Sequence, residues 1–221
     1  MKNKISIVLL AAGKAVRFKS NKLKQSSLLN KKKLIDYSRD YFRDNFKKSP
    51  ITIVINKNIS MKKFAYNEYS CLGSTTRLKS LYKALTFMKK NNILNEFILI
   101  HDVARPIINH SDVRLLIKSI NNEYDGYSLG YPLTNALKYI DMNQNIYNVD
   151  RKNLWMTFTP QIFRTSTLLT SVDYVLKQGL EVDDDIESLL ISLYKCKIIK
   201  SSPTNIKITY KDDLKYIKKL L

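Results

Sequence analysis

Glycine, proline, cysteine, histidine and acidic residues are all scarce in this chain, and each shortage removes a class of answer. Five Gly and five Pro in 221 residues leave little material for long flexible linkers. Cys71 and Cys196 stand far apart without ligand spacing, and His101 and His110 are the only histidines, which argues against a structural zinc site. Both cysteines read as small core residues in a reducing compartment. No apolar run approaches the ~20 residues that span a bilayer, so no membrane role is expected. The N-terminus imitates a signal peptide, with Lys2 and Lys4 ahead of an apolar run and Ala11-Ala12-Gly13. That run is short and leads straight into cationic residues. It reads as the first strand of a cytoplasmic protein.

Acidic residues number 19 against 38 Lys and Arg, a formal net charge of +19. Such an excess fits nucleic acid, an anionic membrane surface or an anionic substrate. The cations are spread over the whole chain, and the abundance of Lys, Asn and Ile fits drift in an AT-rich coding sequence. The reading preferred here has no nucleic-acid partner. A basic nucleic-acid-binding protein on a degenerate enzyme scaffold is the competing one, and it predicts steeply salt-dependent binding.

The stretch from Leu9 to Gln25, LLAAGKAVRFKSNKLKQ, organises the rest. The apolar run Ile5 to Leu10 is short and rich in branched side chains, the pattern of a buried strand. Ala11, Ala12 and Gly13 then remove bulk where the strand stops, so that a ligand can approach the backbone. Arg17, Lys19, Lys22 and Lys24 follow with no acidic residue among them. A turn with free N–H groups followed by fixed cations suits a polyphosphate. It also suits a plain turn and a solvated loop. No Gly-Lys-Ser/Thr closes it, so it is not a P-loop, and Gly13 lacks the partner glycines of a dinucleotide fingerprint.

Strand and helix patterns alternate after it. Helices are expected over Leu34–Phe46, Arg77–Lys90 (capped by Ser74 or Thr75), Asp112–Asn121, Thr165–Gln178, Ile186–Tyr194 and Lys211–Leu221. Strands are expected over Ile51–Ile55, Tyr69–Leu72, Phe97–Ile100, Tyr127–Pro132, Trp155–Thr159, Cys196–Lys200 and Asn205–Thr209, the last carrying an inward Lys207. Leu137–Ile140 and Ile146–Val149 read as a hairpin that interrupts the alternation and projects from the sheet. Its exposed apolar residues need covering, most simply by a second subunit. The fold expected is α/β: three layers around a mostly parallel, Rossmann-like sheet, one domain over 1–221 with an inserted arm at 132–155.

Ligands of such sheets bind beyond the carboxyl ends of the strands. Asp102, in His101-Asp102-Val103-Ala104-Arg105-Pro106, falls at such an end, where a carboxylate near a phosphate loop suits a divalent metal. It could equally cap the next turn or pair with Arg105. His101, with no nucleophile partner in view, reads as packed or hydrogen-bonded rather than as a catalytic base. The acidic cluster from Glu181 to Asp185 suits capping of the helix that follows, the safer reading for at least one of its three aspartates, and also suits binding of a metal or a polyol.

The blocks AAGKAVRFKSNKLKQ, GSTTRLKS, HDVARP, NVDRKNLW, TPQIF, VDDDIES and NIKIT, in this order from about Ile5 to Leu214, resemble the signature blocks of the 2-C-methyl-D-erythritol 4-phosphate cytidylyltransferase family. The tract from Pro132 to Phe163 is most similar to the cytidylyltransferase half of bifunctional enzymes. The resemblance implies attack of a polyol phosphate on the α-phosphorus of CTP with Mg²⁺ as cofactor, giving a CDP-alcohol and pyrophosphate in isoprenoid precursor synthesis. No protein nucleophile is needed.

By position, the resemblance gives Ala11, Ala12, Gly13, Gly73, Ser80 and Asp102 to the nucleotide. Arg17 and Lys24 neutralise phosphate charge as the catalytic pair, and Asp102 also holds Mg²⁺. Arg105, Arg151 and Lys207 take the phosphate of the second substrate. Arg151 reaches the neighbouring subunit's site from the arm, which implies a homodimer. The chain departs from the family pattern at Ala15, where a second glycine is usual, at Ala136 and Asp183, where threonines are usual, and at Glu187, where a small residue is typical. These departures keep open another polyol phosphate, such as ribitol 5-phosphate, and a catalytically weakened copy.

Overall fold

The structure is a computed structural model and describes residues 4–13, 18, 24–59 and 64–221. In chain order the elements are β1 (Ile5–Ala11), β2 (Leu28–Leu29), β3 (Lys32–Lys33), α1 (Leu34–Asn45), β4 (Ile51–Ile55), β5 (Glu68–Leu72), α2 (Arg77–Lys90), β6 (Phe97–Asp102), α3 (His110–Lys118), β7 (Gly126–Pro132), β8 (Leu137–Ile140), β9 (Ile146–Val149), β10 (Trp155–Arg164), α4 (Thr165–Lys177), α5 (Asp185–Ile191), β11 (Cys196–Lys200) and α6 (Asp213–Lys218).

Seven strands form one sheet in the order β11-β7-β10-β6-β1-β4-β5. Strand β10 runs antiparallel to β6 and β7, and every other pairing is parallel. The period of two along β1 explains the layering. Ile5, Ile7, Leu9 and Ala11 face one core, closed by Ile35 and Phe42 of α1 and Val113, Leu116 and Ile117 of α3. Val8 faces the other, closed by Leu81, Ala84 and Leu85 of α2, Leu168 and Val172 of α4, and Leu189 of α5. A fully buried aliphatic or aromatic side chain contributes ~1.5–3 kcal/mol, so both faces hold β1 in place.

A third cluster sits at one end. Leu29, Leu34, Phe18, Ile208 and Ile217 bury together, with Ile206 and Leu214 packed against them. This small core fastens the chain's last segment beside β1's carboxyl end.

Several sequence expectations are corrected. Residues 205–209 form no strand; their one ladder-like bond is Ile208 N–H to the Ala104 carbonyl, 2.8 Å. A single bond of this kind makes no ladder. Strand β10 does not stop at Thr159 but runs through Pro160 to Arg164. Proline lacks a ladder donor, and the register shift between Phe158 and Gln161 absorbs that loss. The cap of α2 is Thr76, whose hydroxyl accepts from Lys79 N–H at 3.2 Å, rather than Ser74 or Thr75. Helix α6 is shorter than the apolar spacing suggested, and β2 and β3 form a short hairpin that was not expected. Strands β8 and β9 pair as foreseen, in a two-stranded sheet of their own.

Candidate active site

Strands β1, β5 and β6 end on the same side of the sheet, and a cavity of about 360 Å³ opens there. Its wall includes Leu10, Ala12 and Gly13 from β1 and its exit, 74–77 and Ser80 from the start of α2, 102–104 from the end of β6, and Lys24, Gln25 and Lys207.

Small residues permit this geometry. A Cβ on Gly73 would lie 2.2 Å from the Cβ of Ala12 and 3.1 Å from Ser80 Oγ, so only glycine fits between them. A Cβ on Gly13 would meet nothing within 4 Å among the described residues. Gln25 is tied back to the exit of β1: its Nε2 donates to the carbonyls of Ala11 and Gly13, each at 2.6 Å. Ser80 Oγ donates to the Thr76 carbonyl (2.7 Å) and accepts from Ser74 N–H (2.9 Å), fixing the turn into α2.

The charged centre is a chain of four side chains. Arg77 donates from Nε to Asp102 Oδ1 (3.1 Å) and from Nη1 and Nη2 to Asp185 Oδ1 and Oδ2 (2.6 and 2.8 Å). Lys207 Nζ donates to Asp102 Oδ2 at 2.7 Å. The backbone N–H of Asp102 is fixed by Thr159 Oγ1 at 3.0 Å. Burial alone would raise the Asp102 carboxyl, but Arg77 and Lys207 overrule it and hold it well below the usual carboxylate range. Burial works against the charge of Arg77, and the two carboxylates more than restore it. Asp185 is pushed up by burial against the pull of Arg77.

Lys24 Nζ donates to the Ile208 carbonyl at 2.7 Å. The segment around Lys207 therefore touches both the loop lysine and the β6 carboxylate. His101 points the other way, into the core against the Phe42 ring at 5.5 Å. Burial lowers it to about 4, so it is neutral, and its Nε2 lies 3.0 Å from the Arg105 carbonyl, which can only accept. It is packed and hydrogen-bonded, as the sequence suggested.

The model of one protein family, 2-C-methyl-D-erythritol 4-phosphate cytidylyltransferase, matches residues 5–221. The chain belongs to that family. A cytidylyltransferase of that description from Aliivibrio fischeri is 28% identical over 216 residues, spanning 95% of this chain and 90% of its own. The one from Wigglesworthia glossinidia brevipalpis is 28% identical over 221 residues, 96% and 93% of the two chains. Among solved structures, the Francisella tularensis cytidylyltransferase superposes with a TM-score of 0.82 at 27% identity, covering 99% of this chain and all of that one. The bifunctional IspDF from Campylobacter jejuni superposes at 0.81 with 26% identity, and this chain covers 53% of its length. The chain is thus a nucleotidyltransferase by family as well as by fold.

Within this cytidylyltransferase fold, Ala12, Gly13, Lys24, Ser80, Asp102 and Lys207 line one cavity. Ala11 and Gly73 lie immediately behind it. Arg105 is set back, its Nη1 donating to the Asn205 carbonyl at 2.7 Å and its guanidinium over the Phe158 ring. Arg151 lies on the arm, donating to the Thr134 carbonyl. Arg17 falls outside the described residues, as do Ala15, Lys19 and Lys22.

Sequence reasoning gave no role to Arg77 or Gln25, and it placed Asp185 in the acidic cluster without pairing it to Arg77. One signal could have found that pair. Arg77 opens α2, where the helix macrodipole repels a cation, and a cation there needs carboxylate partners. The acidic cluster supplies one, and Asp184 beside it caps α5 through Glu187 N–H at 3.0 Å, as foreseen for at least one of its members. Glu187 returns a bond to Asp183 N–H at 2.7 Å, so that departure from the family pattern has a structural use.

Mg²⁺ is usually held by one or two carboxylates together with substrate phosphates. Among the described residues no cluster of three or more acidic, His or Cys side chains stands ready for a metal. Asp102 alone fits the first requirement: it is ionised, it lines the cavity, and the ammonium on its Oδ2 belongs to a side chain 39% exposed. The donor set therefore suits a cation that arrives with its own oxygen ligands.

Proposed function

We propose that this chain transfers the cytidylyl group of CTP to 2-C-methyl-D-erythritol 4-phosphate, releasing pyrophosphate, in the non-mevalonate route to isoprenoid precursors. The observation that carries the reading is the convergence of Gly13, Lys24, Ser80, Asp102 and Lys207 on one cavity at the strand ends, in a chain matched by the family model over 5–221.

In the step, an oxygen of the acceptor phosphate forms a bond to the α-phosphorus while the bond to the β-phosphate oxygen breaks. Pyrophosphate leaves with the electron pair. The attacking oxygen is already ionised near pH 7, so no side chain has to remove a proton. Catalysis rests on positioning and charge neutralisation.

The work is divided by place. Backbone from Ala11 to Gly13, with Gly73 and Ser80, takes the nucleoside and its phosphates. Lys24, with Arg17, counters charge on the α-phosphate and the leaving group. Lys207 receives the acceptor phosphate, with Arg105 near it and Arg151 supplied by the partner's arm in a homodimer. Asp102 would hold Mg²⁺, which when bound neutralises and aligns the triphosphate. The small, charged substrates suit a cytoplasmic enzyme of one domain, 1–221, with the arm at 132–155 inserted for dimerisation.

The test is pyrophosphate release from CTP and Mg²⁺ with a panel of polyol phosphates. Release with methylerythritol phosphate, well above that with ribitol 5-phosphate, is expected. No release with any acceptor, or a preference for ribitol 5-phosphate, overturns the assignment.

A further inference from the structure

We infer that Asp185, acting through Arg77, sets the charge that Asp102 presents to the cavity and so governs how strongly Asp102 holds a cation. Asp185 is a positioning residue: it is fully buried, does not line the cavity, and is linked to Asp102 by hydrogen bonds through Arg77. The inference rests on the reading of Asp102 as the Mg²⁺ ligand.

The argument is one of balance. Arg77 and Lys207 bring two positive charges to the cluster; Asp102 and Asp185 bring two negative ones. The guanidinium fork gives both Nη atoms to Asp185 and only Nε to Asp102. Arg77 can therefore orient Asp102 while most of its charge is answered elsewhere. With Asp185 neutral, the whole guanidinium charge would fall on Asp102. Two cations would then face one carboxylate, and a divalent ion would meet repulsion where it needs attraction. Arg105 and Asp184 stand close enough to add smaller contributions of opposite sign.

Balance makes predictions that packing does not. Removing a negative charge should weaken cation binding. Removing the positive one should strengthen it, while releasing Asp102 from its orientation. Removing both should bring affinity back.

The probe is Mn²⁺, titrated into the protein with CTP and followed by the electron paramagnetic resonance of the free ion, with turnover measured separately. Asp185→Asn should weaken Mn²⁺ binding about tenfold, the scale of one charge lost at short range in a partly screened site. Arg77→Gln should bind Mn²⁺ several-fold more tightly and yet turn over more slowly. The double variant Arg77→Gln/Asp185→Asn should return to within about threefold of the wild-type affinity. Asp185→Glu, which keeps the charge, should recover most of the loss.

Shifts of the same sign in Asp185→Asn and Arg77→Gln overturn the inference, as does an Asp185→Asn affinity equal to wild type. If Asp185→Asn does not fold, Arg77→Gln and the double variant decide it alone: no tightening in the first, or no return in the second, overturns it. Asp102→Asn separates the two levels. An unchanged Mn²⁺ affinity there sinks the reading of Asp102 itself. A weakened one, beside an inert Asp185→Asn, sinks only the inference.

Discussion

The cleft and the arm are built on opposite plans. At the cleft, every charged group of the centre is answered within the chain: Asp102 by Arg77 and Lys207, Arg77 by Asp185. On the arm the polar side chains find local partners, but the apolar ones meet no core. Strands β8 and β9 pair with each other, none of their residues is buried, and Met142 at the tip is fully exposed beside Ile140 and Ile146. A site that must present fixed charges needs a rigid frame. The apolar residues of the hairpin are the ones that the proposed homodimer would cover.

The sharpest way to break this contrast is to show that the cleft does not need its cations. Lys24→Ala should lower kcat by about 10²–10³, the scale of one lost charge-stabilising donor. The melting temperature should fall only modestly, since a hydrogen bond such as the one from Lys24 to the Ile208 carbonyl contributes ~1–3 kcal/mol. Arg17→Ala should behave alike. Wild-type turnover in both variants would remove the cleft from the chemistry.

The arm can be tested by mixing. If Arg151 serves the neighbouring subunit, Lys24→Ala and Arg151→Ala dimers, each nearly inactive, should regain activity when their subunits are exchanged. Random exchange puts half of all protomers' sites in hybrids, and one hybrid site in two carries neither defect. About a quarter of wild-type activity should return. No recovery after verified exchange would confine each site to a single chain. Arg151→Lys should also lose activity, because a point charge does not copy a bidentate fork.

The same contrast explains what could be seen in the sequence. The buried strands β1, β4 and β6 announce themselves as continuous apolar runs, and the hairpin by its alternation. Asp102 stands out because it falls at the end of such a run, where parallel sheets bind their ligands. Its partners were not legible. Arg77 lies 25 residues before it, while Asp185 lies 108 residues beyond Arg77 and Lys207 lies 105 beyond Asp102. Local sequence carries no mark of such distant pairing; a cation at a helix start was the one available hint. Residues 205–209 misled for a related reason. Their alternation is real, but it reflects packing of Ile206 and Ile208 into the small third core rather than a place in a sheet.

The smallest expected effect sharpens the comparison from beneath the cleft. His101 precedes Asp102 on β6 yet belongs to the core: it is fully buried, and its Nδ1 has no hydrogen-bond partner among the described residues. Burial lowers it to about 4, whereas an unfolded histidine titrates near ~6.5. The depressed value means that the folded state resists protonation. The stability it contributes is whole above about pH 6.5 and is lost as pH falls toward the folded value near 4, because there the unfolded chain binds more protons. The full difference amounts to roughly 3 kcal/mol. Urea midpoints measured at pH 7.5 and pH 5 should therefore differ, with the protein weaker at pH 5. His101→Gln keeps a donor for the Arg105 carbonyl and cannot titrate, so it should flatten that slope, whatever it costs at pH 7.5. An unchanged slope would mean that His101 reaches water in the native state. The arm has no histidine and no buried titratable group, so shortening 137–149 should leave the slope as it is.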